Sequence, residues 1–235
     1  GKGFKFTAFD YSQLELRVAA DLSGDEKMIS AFTKGLDIHA LTAAEVNGIP
    51  VEKVTPELRR RAKTLNFGIL YGMGARALAE AAEISRDEAE VFIEKYFEDF
   101  TGVARFISDT KKFAHDHGYT QTAFGRKRFF TEISSSSFRL QRELERQAVN
   151  FPIQGTAADI MKKAMIEVDR FLREEKLESK VRLLLQIHDE LVFEATKNTP
   201  AEVLEKIKSI MESVWRGRVA MRVEVKGGGS WADLQ

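Results

Sequence analysis

Residues 4–17 read Phe4-Lys5-Phe6-Thr7-Ala8-Phe9-Asp10-Tyr11-Ser12-Gln13-Leu14-Glu15-Leu16-Arg17. The first seven alternate with period two and are rich in aromatics, which predicts a strand ending on an acid. Ser12 followed by Glu15 has the spacing of a capping box, and Leu14, Val18 and Leu22 continue a helical stripe, so a helix should follow at once. From Asp37 to about Gly118 the chain reads as helices separated by Gly or Pro signals, at 37–47, 56–72, 75–83, 86–97 and 102–117. Thr120 to Phe130 reads as a short hairpin or loop, Ser134 to Ser137 as a polar loop, and Arg139 to Leu172 as helix with a break at Pro152. Strands then return. Val181–Ile187 and Leu191–Glu194 are apolar runs around His188-Asp189-Glu190, and the arms look buried. A helix from Pro200, capped by Thr199 with Glu202, and a last strand Arg222–Lys226 complete the chain. Sheet, helical insertion, sheet: the expected class is α+β, a sheet body interrupted by an all-helical subdomain.

The 235 residues are 43% apolar and 31% charged with four Pro, enough to bury a core and too apolar for disorder. No apolar run approaches the roughly 20 residues needed to span a bilayer, and charges interrupt the first 20 residues where a signal peptide would be apolar. No membrane partner is expected. The absence of cysteine excludes disulfides, thiolate zinc sites and cysteine nucleophiles, and fits a reducing compartment. The 36 basic and 36 acidic side chains cancel, but in blocks. Residues 51–80 carry six basic against three acidic side chains, residues 81–100 two against seven, and residues 111–150 eight against four. Two basic blocks are a reason to look for phosphate.

Three constellations carry chemistry. Asp10 stands where a strand gives way to a helix, and His188-Asp189-Glu190 stands at a hairpin tip. An adjacent Asp-Glu pair in a turn repels itself unless a cation sits there, and carboxylates from two strands at one sheet edge could hold two Mg²⁺ ions through oxygen ligands. The third constellation begins at Thr55, a cap followed by Pro56 at the first helical position. With Arg59 as zero and about 100° per residue, Lys63 falls at about 40°, Phe67 at about 80° and Tyr71 at about 120°, while Leu58, Ala62, Leu65 and Ile69 gather on the other side. A stripe running from cations to aromatic rings suits a triphosphate and a base. Gly68 and Gly72 in its last turn suggest a joint that moves.

Together these residues resemble the family A DNA polymerases, the bacterial DNA polymerase I group. Asp-Tyr-Ser-Gln-x-Glu-Leu-Arg at 10–17 is similar to that family's first palm motif, Arg59 to Gly72 to its fingers helix, and Gln186-x-His188-Asp189-Glu190 to its third motif. The resemblance implies an antiparallel-sheet palm at 1–28 and 131–235 with all-helical fingers at 29–130, and template-directed addition of dNMP from dNTP to a primer 3′-hydroxyl. It implies that Asp10 and Asp189 ligate two Mg²⁺ ions, which Mn²⁺ can replace, helped by the Tyr11 carbonyl and with Glu190 nearby. Arg59, Lys63 and His39 would hold the triphosphate, Lys63 also serving catalysis, with Gln13 in the dNTP site. Phe67 would stack near the sugar and base, and Tyr71 near the templating position. Glu15 would exclude a 2′-hydroxyl, and Phe67 rather than Tyr resembles members that discriminate against dideoxynucleotides.

Arg142, Arg146, Asn150 and Gln154 recur every four residues. By the same resemblance Arg146, Asn150 and Gln154 face the primer-template minor groove, where N3 and O2 acceptors are common to every correct pair, and Arg142 also binds DNA. Arg126, Lys127 and Arg128 would contact template or backbone, and His188 the primer end. The implied partners are primer-template DNA and dNTP in a bacterial cytoplasm. Family members carry a thumb, further palm strands and often exonuclease domains ahead of the first motif. Here about nine residues precede Asp10, so the missing portion of the same polymerase, or a complementing chain, is a further expected partner. Two alternatives remain open: a catalytically silent DNA-binding fragment, and a single-subunit RNA polymerase, against which Glu15 and Phe67-Gly68 argue.

Overall fold

Residues 3–135 and 137–234 are described in a computed structural model. Strand β1 (Phe4–Tyr11) lies inside a four-stranded sheet and is bonded on both edges, which is why Ala8, Phe9 and Tyr11 are all buried. Its neighbours are β5 (Glu190–Thr196) and β6 (Val223–Gly228), and β4 (Val181–Ile187) closes the far side of β5. The order is β4-β5-β1-β6, antiparallel throughout. The register sets Asp10 opposite Glu190 on one side and opposite Glu224 on the other. Phe9 and Phe193 pack edge to face at 5.4 Å, and Tyr11 donates its hydroxyl to the Met211 carbonyl at 2.6 Å, tying β1 to helix α9 (Ala201–Ser213).

The other elements are mainly helical: α1 (Leu14–Ser23), α2 (Glu26–Thr33), α3 (Ile38–Asn47), α4 (Pro56–Leu70), α5 (Ala75–Ala82), α6 (Arg86–Asp99) and α7 (Thr101–His117). A small hairpin, β2 (Tyr119–Gln121) with β3 (Lys127–Phe129), precedes the long helix α8 (Phe138–Glu174). The expected α+β class with an antiparallel sheet is what forms. By contact density the chain makes two compact units, one from the segments up to Leu14 and from Ala157 onward, the other Glu15–Thr156.

Several local expectations are corrected. Ser12 does not cap a helix: Gln13 takes a left-handed φ of 57°, the helix starts at Leu14, and the Ser12 hydroxyl donates instead to Glu224 Oε1 at 2.8 Å. Thr199 pairs its hydroxyl with Thr196 at 2.9 Å, and α9 starts without a side-chain cap. The hairpin arm at β4 is not buried. Leu183, Leu184 and Leu185 are 37–42% exposed because β4 is the edge strand, irregular between Leu183 and Leu185. Helix α2 was not anticipated; it is eight residues long and is started by Asp25, whose carboxylate accepts from the Met28 and Gly102 amides. The polar loop expected at Ser134–Ser137 includes Ser136, which lies outside the described residues.

The break at Pro152 does not occur, and the reason is specific. Proline removes the amide that would bond the carbonyl four residues back. That carbonyl, on Ala148, accepts the Thr120 hydroxyl at 3.1 Å from β2, so the buried oxygen stays satisfied and α8 runs through. Gly68 likewise has a packing role. A Cβ there would stand 2.2 Å from Leu78 Cδ2, so glycine is what lets α5 approach α4.

Candidate catalytic and nucleotide-binding sites

In the first unit, Asp10 at the end of β1, Glu190 at the start of β5 and Glu224 on β6 form one cross-strand row, and Asp189 occupies the turn before Glu190. The Tyr11 amide donates to the Asp189 carbonyl at 3.1 Å, which pins the turn against the end of β1. His188 holds a left-handed φ of 51° and its carbonyl accepts the Gln186 amide at 2.7 Å, so the tip is locally braced. The Tyr11 side chain is buried and its hydroxyl is held by Met211, leaving only its backbone to take part in chemistry. Burial first, then the like charges of Asp189, Glu190 and Glu224, push the Asp10 carboxyl up to about 6, with Lys226 opposing.

These donors are hard oxygens bearing like charge on one sheet edge, the set that Mg²⁺ and Mn²⁺ accept. Among the described residues no three acidic or histidine side chains converge closely enough to hold a metal ion. Glu224 escaped the sequence reading. The alternation in Arg222–Lys226 put it on one face of a strand, but only the pairing register shows that this face carries Asp10.

In the second unit, α4 starts at Thr55, whose hydroxyl accepts the Leu58 amide, and it buries Ala62, Leu65 and Ile69 as expected. Its other face shows exposed Arg59 and Lys63, then half-buried Phe67 and Tyr71 with rings 6.0 Å apart. Arg59 donates to Asp37 Oδ2, while Asp37 Oδ1 caps α3 by accepting the His39 and Ala40 amides. Tyr71, at the C-terminal end of α4, donates to Glu15 Oε2 at 2.5 Å, which ties Glu15 to that helix.

His39 is not on this surface. It is 2% exposed, its ring is 5.9 Å from that of Phe67, and its Nδ1 accepts from Asn66 Nδ2 at 3.0 Å. Burial, with the cations of Arg59 and Lys63 adding to it against Asp37, holds its pKa down at about 4, so the ring is neutral near pH 7. In this structure His39 thus lies beneath the stripe, beside the Phe67 ring. Asn66, which the sequence did not single out, also donates to Thr42 Oγ1 at 3.1 Å, and its Oδ1 has no partner among the described residues.

The four-residue stripe lies on unbroken helix. Arg142 stacks over Phe138 at 4.3 Å, Arg146 donates to Glu143 at 2.7 Å, and Gln154 is exposed. Asn150 Oδ1 is buried without a partner among the described residues. Of the basic tract, Arg126 is committed to structure: it donates to the Gly155 carbonyl at 2.9 Å and lies over Phe151. Lys127 lies over Tyr119 at 4.1 Å, and Arg128 lies over Phe130 and donates to Gln147. Gln13 Oε1 is buried without a partner among the described residues.

Known proteins resemble this chain along its whole length. The sequence profile of DNA polymerase family A matches residues 1–233, and the chain belongs to that family. It is similar to DNA polymerase I of Caldicellulosiruptor bescii, 49% identical over 96% of this chain and 26% of that protein. It is also similar to the thermostable DNA polymerase I of Thermus aquaticus, 45% identical over 100% of this chain and 28% of that protein. The chain thus spans about a quarter of the length of these relatives. Among solved structures it is similar to the POL domain of Pol1 from M. smegmatis in complex with DNA primer-template and dNTP, with a TM-score of 0.94 and 40% identity over 100% of this chain and 41% of that one. Among the described residues no helix is long and apolar enough to cross a membrane.

Proposed function

We propose that this chain is the catalytic portion of a template-directed DNA polymerase, adding dNMP from dNTP to a primer 3′-hydroxyl, with palm 1–28 and 131–235 and fingers 29–130. The observation that carries the reading is the register that sets Asp10 beside Glu190, one residue from Asp189, at one sheet edge. Asp10 and Asp189, with the Tyr11 carbonyl, would hold two Mg²⁺ ions, or Mn²⁺, and Glu190 stands close by. When bound, such ions make the primer hydroxyl a better nucleophile and offset charge on the leaving pyrophosphate.

The chain's own residues do the rest. Arg59 leaves Asp37 to clamp phosphate oxygens, and Lys63 adds a second cation that neutralises the departing pyrophosphate. Phe67 offers a ring to the sugar and base. Tyr71 holds Glu15 in place, and Glu15 denies room to a 2′-hydroxyl. Arg142, Arg146, Asn150 and Gln154 face the duplex, Arg146 after release from Glu143. Lys127 and Arg128 supply phosphate contacts, and His188 sits at the primer end. Asp10 serves only when ionised, so the reaction needs a pH above about 6 or a cation that displaces its proton.

Primer extension tests this. The chain is supplied with primer-template and dNTP, alone and with the polymerase I segments that precede the first palm motif. Template-matched, Mg²⁺-dependent extension that stops with EDTA is the expected result. Duplex binding without any extension in either arrangement would mark a silent DNA-binding fragment.

A further inference from the structure

Glu224 has a place in the sheet that ordinary strand pairing disfavours. Residues in register on antiparallel strands share a face, and like charges directly opposite are destabilising. Asp10 nonetheless has a carboxylate on each side, Glu190 on β5 and Glu224 on β6. The nearest cation on β6, Lys226, is set opposite Ala8 instead. Glu224 is also held. Ser12, two residues beyond Asp10 and on the same face, donates its hydroxyl to Glu224 Oε1 at 2.8 Å, while its amide donates to the Arg222 carbonyl at 2.9 Å. An exposed glutamate with no task would turn away from two like neighbours; this one is fastened to the end of the strand that carries Asp10.

We infer that Glu224 is a fourth carboxylate of the cation site, a positioning residue that, tethered by Ser12, adds the charge which draws divalent ions to Asp10 and Asp189 without itself being their direct ligand. The inference rests on the cation-site reading above. A single charge acting on a divalent ion from a neighbouring strand across partly solvated space changes affinity by about threefold to tenfold. In the metal-free protein the same charge only repels Asp10 and Glu190. Metal affinity and metal-free stability must therefore move in opposite directions when it is removed, a pattern that a merely structural residue does not give.

The test is Mn²⁺ binding to the full chain, followed by electron paramagnetic resonance, together with thermal unfolding in EDTA. Glu224→Gln should weaken Mn²⁺ binding by about threefold to tenfold while the metal-free unfolding midpoint stays level or rises. Glu224→Asp should restore most of the affinity, and Ser12→Ala should lower it by a smaller factor. Unchanged affinity in Glu224→Gln overturns the inference, as does a loss of affinity matched by a loss of metal-free stability. Wild-type chain that binds no Mn²⁺ overturns the cation-site reading itself, so the two failures are distinguishable.

Discussion

Replacing Asp10 by Asn should stabilise the metal-free fold at high pH. The Asp10 carboxyl is pushed from 3.8 to about 6 by burial and by Asp189, Glu190 and Glu224. A shift of about two units corresponds to at most about 3 kcal/mol. The side chain is still partly hydrated, and screening reduces this to about 1–2 kcal/mol. The sign follows from the raised value. Stability associated with Asp10 is fully present below 3.8, where folded and unfolded chains are both protonated, and is lost as pH rises through about 6. Asn carries no charge at any pH. In EDTA at pH 8, Asp10→Asn should therefore unfold roughly 2–8 °C above the wild type, a chain of this size shifting about 2–4 °C per kcal/mol. At pH 4 that advantage should shrink to the residue of the chemical change itself. An Asp10→Asn advantage that is equal at the two pH values, or larger at pH 4, would refute the electrostatic account of the sheet edge.

Other consequences follow from single contacts. Thr120→Val strips the Ala148 carbonyl of its donor and should cost about 1–2 kcal/mol in urea unfolding, whereas in a Pro152→Ala background, where helix amide 152 can take over, the same change should cost much less. Glu15→Ala should admit ribonucleotides in single-nucleotide incorporation, and unchanged sugar selectivity would leave Glu15 a structural role through its bond to Tyr71. His39 is held neutral by burial, so its folded pKa near 4 makes the fold lose stability as pH falls from about 6.5 towards 4. His39→Gln should flatten that acid limb of a urea-midpoint profile.

What was legible in the sequence is what is written contiguously. The period-two run to Asp10, the paired apolar arms around His188-Asp189-Glu190 and the two-faced helix after Thr55 name their own elements and carry the family resemblance. What escaped depends on partners distant in the chain. Pro152 looks like a break unless one knows that Thr120 reaches Ala148. Ser12 and Glu15 have capping spacing, but β6 supplies Glu224 to the one and α4 supplies Tyr71 to the other. The Leu183–Leu185 run promises burial, yet strand order alone decides that it lies on an edge. His39 reads from the sequence as a helix-surface histidine, and the α3–α4 packing through Asn66 puts it inside.

The central claim is that Asp10 and Asp189 serve the chemistry and not the grip on DNA. The most direct measurement is single-turnover nucleotide incorporation and primer-template binding by a complete polymerase I carrying this segment, with Asp189 intact or changed to Asn. Incorporation lost by a factor of about 10³ or more, with duplex affinity within about threefold of the parent, is the predicted result. Turnover retained by Asp189→Asn would contradict it.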